Sequence, residues 1–230
     1  MEIESFVPQH EPLLPSQGDN GAAGPWIMTA GGRAYHFLTP SPAEIDIHDI
    51  ANHLAKICRF NGACRGFYSV AQHSVLVSDL LPPTPDGLLQ IHGLLHDAHE
   101  FAVGDSTTPL KKARRFLLGA GPDQADPDTI MAQSCQRAIV QALGLPEPDE
   151  AQARQIREAD FLAFAIERRD LMPKPRAGVP DWDVQLPDTK GYSWIIGQSW
   201  DIARDIFLDR YMRLSDRFRI AQSGAAKEVA

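Results

Sequence analysis

GLLHDAHEFAVGDSTTPLK, residues 93–111, decides how this chain is read. The apolar residues leading into it, Leu88, Leu89, Ile91, Leu94 and Leu95, cover more than one helix face. That pattern marks a helix central to a fold rather than one lying on its surface. The run then meets His96-Asp97, with Glu100 three residues later and Asp105 five beyond that. Ionisable groups are costly to bury unless they pair with each other or with a metal. The stretch therefore implies partners elsewhere in the chain.

Two further residues meet that description. His73 lies in SVAQHSVLVSDL, and Asp160 lies in READFLAFAIE, directly before an apolar stripe. Histidines and aspartates converging from several helices are how a helical fold builds a divalent-metal site. Imidazole suits Mn, Fe, Co, Ni and Zn, and carboxylates admit harder ions such as Mg, so the donor set leaves the metal open. Neighbouring helix residues are about 100° apart and do not share a face in mid-helix. His96 and Asp97 can both reach one ion only near a helix end. Glu100 lies one turn on, where it can address water held at the metal, the position a general acid/base needs. Asp105 and Lys111 follow on a loop rich in hydroxyl and N–H groups, suited to a phosphate or a sugar hydroxyl.

The other histidines read as structural. His92 precedes His96 by one turn and is expected at a packing surface, with an outer role at the metal as the alternative. His99 is expected to point away from the metal, and His48 and His53, five apart, to lie on the surface. Lys111-Lys112 and Arg114-Arg115 form a basic cluster with two readings, solvated helix surface or phosphate attraction. Trp182, Trp194 and Trp200 read as packing residues, with one of them a candidate for the pocket mouth.

The 230 residues carry a net charge of −8, which argues against a nucleic-acid-binding surface. Three cysteines without a CxxC pair exclude a disulfide framework and a thiolate zinc site. The absence of a long apolar run and of a signal-peptide pattern gives the expectation of a cytoplasmic protein with no membrane span. Residues 1–25, rich in proline and glycine, read as a flexible arm; 26–220 form one domain; 221–230 read as a disordered tail.

Within that domain WIMTAGGRAYHFL (26–38) reads as a β-hairpin. A helix is expected from Asp46 to the Asn61-Gly62 pair, with Ile47, Ile50, Ala51, Leu54, Ile57 and Cys58 on one face. Further helices are expected at about 68–81, from Asp86-Gly87 onward, at 111–118, 129–143, 149–171 and 199–219. Residues 119–128 read as a turn-rich insertion, with Asp126 as a helix start, and 173–192 as a long loop. The class is all-α with a short N-terminal hairpin.

The spacing of His73, His96-Asp97 and Asp160 resembles the H…HD…D pattern of the HD-domain metal-dependent phosphohydrolases. HDAHEFAVGDSTTPLK resembles the HDxxExxxGDxxxPxK segment of the branch containing bacterial 5'-deoxynucleotidase. READ is similar to that branch's ligand helix, and Arg59-Phe60, fourteen residues before His73, resembles its nucleotide-contacting Arg-Trp pair. The likeness covers residues 45 to 172. It implies an HD-domain helical bundle and a divalent metal (Co, Mn, Zn, Mg, Fe or Ni) on His73, His96, Asp97 and Asp160. Glu100 is implied as acid/base and Asp105 as an orienting residue, with Arg59, Phe60 and Lys111 at the substrate. The implied activity is release of phosphate from deoxynucleoside monophosphates by a homo-oligomeric enzyme. The alternatives are a dNTP triphosphohydrolase and a non-catalytic nucleotide- or metal-binding protein. Phe60 departs from the pattern: it has no indole N–H, which puts selection against a 2'-hydroxyl in doubt.

Overall fold

The computed structural model describes residues 24–119, 126–180, 182 and 184–228. Most of the expected arm and the centre of the 119–128 insertion lie outside these residues. The fold is all-α with a short antiparallel hairpin, β1 (Trp26–Met28) and β2 (Ala34–His36), in which Ile27 faces Tyr35. The helices are α1 (Ile47–Lys56), α2 (Val70–Leu80), α3 (Leu88–Leu95), α4 (Glu100–Val103), α5 (Thr108–Leu117), α6 (Pro127–Ala142), α7 (Glu150–Leu171) and α8 (Trp200–Glu228). α8 runs beyond Arg219, through residues 221–228 that the sequence reads as tail.

Local chemistry sets the helix starts. The side chains of Asp46, Ser69, Asp126 and Asp149 each accept a hydrogen bond from a first-turn N–H, and Asp149 and Gln152 complete a capping box. α3 is the central helix, with every residue from Leu89 to Leu95 buried. Its Ile91, Leu94 and Leu95 pack with Ile50 and Leu54 of α1 and Phe207, Tyr211 and Leu214 of α8. A second apolar cluster joins Val77 and Leu89 to Ile156, Ala159 and Ala163 of α7. α2, α3 and α7 are thereby held side by side.

The first helix ends earlier than its periodicity predicts. Ile57 leaves the helix in extended conformation, and Cys58 forms a β-bridge with Ser69. Arg59 N–H donates to Tyr68 O at 2.9 Å, and Val70 N–H donates to Ile57 O at 3.0 Å. The expected continuation through Cys58 loses because these backbone groups find partners across the bridge. The chain then turns through Phe60 (φ 55°) and Asn61 (φ 50°), left-handed conformations that cost non-glycine residues about 1–3 kcal/mol each. The bridge places Arg59 beside the start of α2.

Asp49 fixes the hairpin to α1. Its buried carboxylate accepts from Thr29 Oγ1 at 2.7 Å and Gly31 N at 2.5 Å, and pairs with Arg33 at 3.2 Å. His53 is not the surface residue its spacing predicts. Ala30 N–H donates to its Nε2 at 3.0 Å, and its Nδ1 lies 2.9 Å from Phe101 O. Asp49→Ala should cost about 1–3 kcal/mol, because buried donors lose their acceptor. Urea unfolding should show the loss as a lower midpoint with an unchanged slope.

Residues 173–192 contain no helix or strand among those described. The chain after them is tied down by Asp170, which accepts from Arg169 Nε (2.6 Å) and Nη2 (2.8 Å) and from Ile195 N (3.0 Å). Burial raises the Asp170 carboxyl, but these donors and the Arg169 charge outweigh it and hold it below the usual carboxylate range. The group therefore stabilises the fold fully above its unfolded value, near pH ~4, and that contribution is lost as acid takes it through its lower folded value. Urea midpoints followed down through about pH 4 should fall less steeply in Asp170→Asn than in the unaltered chain.

Candidate metal centre

α3 stops at Leu95, His96 takes the cap position, residues 96–99 turn, and α4 starts at Glu100. The His-Asp pair thus occupies a junction between helices, where two neighbours can face one point. His73 comes from α2, fully buried, and Asp160 from α7. The donor atoms of His73, His96 and Asp97 lie within 4.8 Å of one another. Asp160 Oδ1 is 3.1 Å from His73 Nε2 and 3.8 Å from His96 Nε2, and Asp97 Oδ2 is 3.6 and 3.2 Å from the same two atoms. The four residues nominated from the sequence converge.

The imidazoles carry the clearest sign of what the site accepts. His73 Nδ1 lies 2.6 Å from Glu167 Oε1, and His96 Nδ1 lies 2.8 Å from Gly93 O. A carbonyl and a carboxylate only accept, so both Nδ1 atoms donate. With no proton on either, the two Nε2 atoms would face each other as lone pairs at 3.3 Å. Such an arrangement is repulsive unless a proton or a metal ion lies between them. Two neutral-imidazole nitrogens with carboxylates on either side fit a divalent ion of the imidazole- and carboxylate-binding group.

Charge within the cluster follows the same logic. Burial works against the charged form of His96, but Asp97 and Asp160 push its pKa well above the ordinary histidine value. Asp97 is held far below the carboxylate range: burial opposes this, and His96, His73 and Arg59 outweigh it. Hydrogen bonds from His73 and His96 likewise overcome burial to pull Asp160 down. Glu100 behaves in the opposite way. It is 4% exposed, its Oε2 has no hydrogen-bond partner among the described residues, and burial followed by the charges of Asp97 and Asp105 pushes its pKa up to about 9. Two carboxylates three residues apart are thus driven to opposite protonation states. Asp105 is also raised, mainly by burial.

His99 differs from its expected place. Its donor atom groups with those of Asp97 and Glu100, because residues 97–100 turn before α4 begins. Burial lowers its pKa, Asp97 opposes, and His96 and Lys111 reinforce the fall. His92 is a buried packing residue, lowered mainly by burial. The exposed Lys111 lines a cavity of about 610 Å³ with His99, Gly104 and Ser106; none of His73, His96, Asp97 and Asp160 forms its walls. Arg114 is paired with Asp128 at 2.6 Å and Arg115 with Asp126 at 3.8 Å, so half of the basic cluster is engaged with the start of α6.

Arg59 is 11% exposed at its side chain, with Nη2 3.2 Å from Glu167 Oε2, Nη1 3.7 Å from Asp97 Oδ2, and a buried Nε lacking a partner among the described residues. Burial disfavours its charge, yet Glu167 and Asp97 more than offset that. Phe60 sits within an aromatic group: its ring centroid is 6.2 Å from Phe164 and 6.3 Å from Trp182, and those two stack at 5.3 Å. Of Trp182, Trp194 and Trp200, it is Trp182 that joins the Arg59-Phe60 turn.

Sequence reasoning missed Glu167. Its side chain is fully buried, it binds both His73 and Arg59, and Tyr68 also hydrogen-bonds to it. The signal was present: Glu167 follows Asp160 by seven residues, two helical turns, so both lie on one face of α7. It is the charge that ends the apolar stripe FLAFAIE.

No family model matches the chain. It is 36% identical over 151 residues to an uncharacterized protein of Rhodobacter capsulatus, covering 64% of this chain and 72% of that one. It is 33% identical over 196 residues to the uncharacterized protein YfdR of Escherichia coli (strain K12), covering 83% of this chain and 96% of that one. Similarity over nearly all of YfdR takes in the helices that bring His73, His96, Asp97 and Asp160 together, and the chain belongs to the same family as YfdR.

Proposed function

We propose that this protein is a divalent-metal-dependent phosphohydrolase of the HD-domain type, releasing phosphate from nucleoside monophosphates, deoxynucleotides first among them. The observation that carries this reading is the pair of Nε2 atoms 3.3 Å apart, each with its Nδ1 proton committed elsewhere and carboxylates alongside. His73, His96, Asp97 and Asp160 would hold the ion. When bound, the ion supplies Lewis acidity and a water of lowered pKa.

The chain's own residues supply the rest. Glu100 keeps its proton at neutral pH and can give it to the departing nucleoside oxygen. Arg59 is held as a cation and offers its Nε–H, which has no partner among the described residues, to phosphate oxygens. Phe60, with Phe164 and Trp182, presents aromatic faces beside that arginine, suited to a sugar or base. Asp105 stands near enough to Glu100 and Arg59 to affect both charges and to orient substrate or water. Engagement of Arg114 and Arg115 by α6 favours one phosphate over three.

Purified protein should be incubated with dNMPs, NMPs and dNTPs in the presence of Mn, Co, Zn, Mg and Ni, with the products identified. Orthophosphate from monophosphates is the expected result, and tripolyphosphate from dNTPs would favour the triphosphohydrolase. Absence of turnover with every substrate and metal would overturn the enzymatic reading.

A further inference from the structure

We propose that Glu167 is a positioning residue that couples the metal ligand His73 to the anion-binding Arg59, so that metal and phosphate strengthen each other's binding. The inference rests on the metal-site reading above and goes beyond it, since it assigns a role to a carboxylate that touches neither metal nor substrate.

The geometry divides one carboxylate between two tasks. Oε1 accepts from His73 Nδ1 at 2.6 Å, and Oε2 accepts from Arg59 Nη2 at 3.2 Å. The Tyr68 hydroxyl is a third partner. A fully buried carboxylate is costly unless such partners compensate it, and truncating one member of a buried pair leaves the other charge exposed to the same cost. By fixing a proton on Nδ1, Glu167 leaves Nε2 of His73, which faces Asp97 and Asp160, as the atom for a metal ion. By holding Nη2, it keeps the guanidinium next to Asp97.

Asp97 belongs to both sets of interactions. It is a metal-site carboxylate, and it faces Arg59 Nη1 at 3.7 Å. A divalent ion shared by His73, His96 and Asp97 competes with Arg59 for that carboxylate. Arg59 cannot withdraw, because Glu167 retains it through Nη2. It is left with Nη1 and Nε as donors, and an anion such as phosphate satisfies them. Coupling between two ligands is reciprocal: the factor by which phosphate tightens metal binding equals the factor by which metal tightens phosphate binding.

The test is a titration of the full chain with Mn or Co, with and without inorganic phosphate, followed calorimetrically. In Glu167→Gln the amide oxygen can still accept from His73, but its NH₂ meets the donors of Arg59. Metal affinity should fall about 10–100-fold, and the tightening by phosphate should shrink. Arg59→Ala should lose the phosphate effect while retaining metal binding, which separates the two tasks. Unchanged metal affinity and an unchanged phosphate effect in Glu167→Gln would overturn the proposal. Absence of any metal binding by the unaltered chain would overturn the metal-site reading itself. Should Glu167→Gln fail to fold, the Co-loaded unaltered protein still decides. Two hyperfine-shifted imidazole N–H signals that exchange slowly with solvent, one from His73 and one from His96, support the Glu167–His73 bond, and the appearance of the His96 signal alone overturns it.

Discussion

Replacing Glu100 with glutamine should lower turnover of a phosphate ester by about 10²–10⁴-fold, the usual contribution of a general acid/base. Metal content should remain unchanged. The side chains have nearly the same shape, and Oε2 has no hydrogen-bond partner to lose among the described residues. What disappears is a transferable proton. Burial and the neighbouring charges of Asp97 and Asp105 place its pKa at about 9, so the carboxyl is protonated at neutral pH. A group acting as an acid loses effect as pH rises through its pKa. The rate should therefore fall on the alkaline side as pH rises through the Glu100 value in the loaded site, and Glu100→Gln should lack this limb. Full activity of the variant would remove Glu100 from the mechanism and leave the metal site standing.

Replacing Asp97 with alanine should abolish stable metal binding, a larger loss than the ~10–100-fold that removal of an outer partner costs. Asp97 faces both Nε2 atoms and the Arg59 guanidinium. Without it, three basic groups converge with Asp160, Glu167 and the more distant Asp105 as acidic partners. The variant should also lose stability without metal, because the buried cations lose a counter-charge. Two measurements separate these effects. Metal analysis after gel filtration reads retention, and thermal unfolding with increasing Mn reads the rise in Tm that a ligand of the folded state produces. The unaltered chain should show that rise, and Asp97→Ala should not.

Much of the site is legible in the sequence because cost leaves a signature. His73, His96, Asp97 and Asp160 are conspicuous as ionisable residues among apolar helical neighbours, and they come together. Glu100 is recognisable by its step from Asp97. Glu167 shows the same signature more weakly, since a glutamate at the end of an apolar stripe also fits a solvated helix edge. Residues whose place depends on a turn are read less well. His99 follows from the break between α3 and α4, and His53 from the docking of the hairpin tip. Neither is encoded in periodicity.

The sequence by itself determined the all-α class, the hairpin, most helix starts and the identity of the four converging side chains. Each of these depends on local chemistry: caps, turn residues, and apolar period along one segment. Only the tertiary structure decided that Cys58 pairs with Ser69, that Arg59 is buried against Glu167, and that Trp182 reaches Phe60 from a distant loop. These contacts join residues far apart in the chain. Their energy comes from pairing a charge, a ring or a backbone group with a partner that only the packed helices bring near.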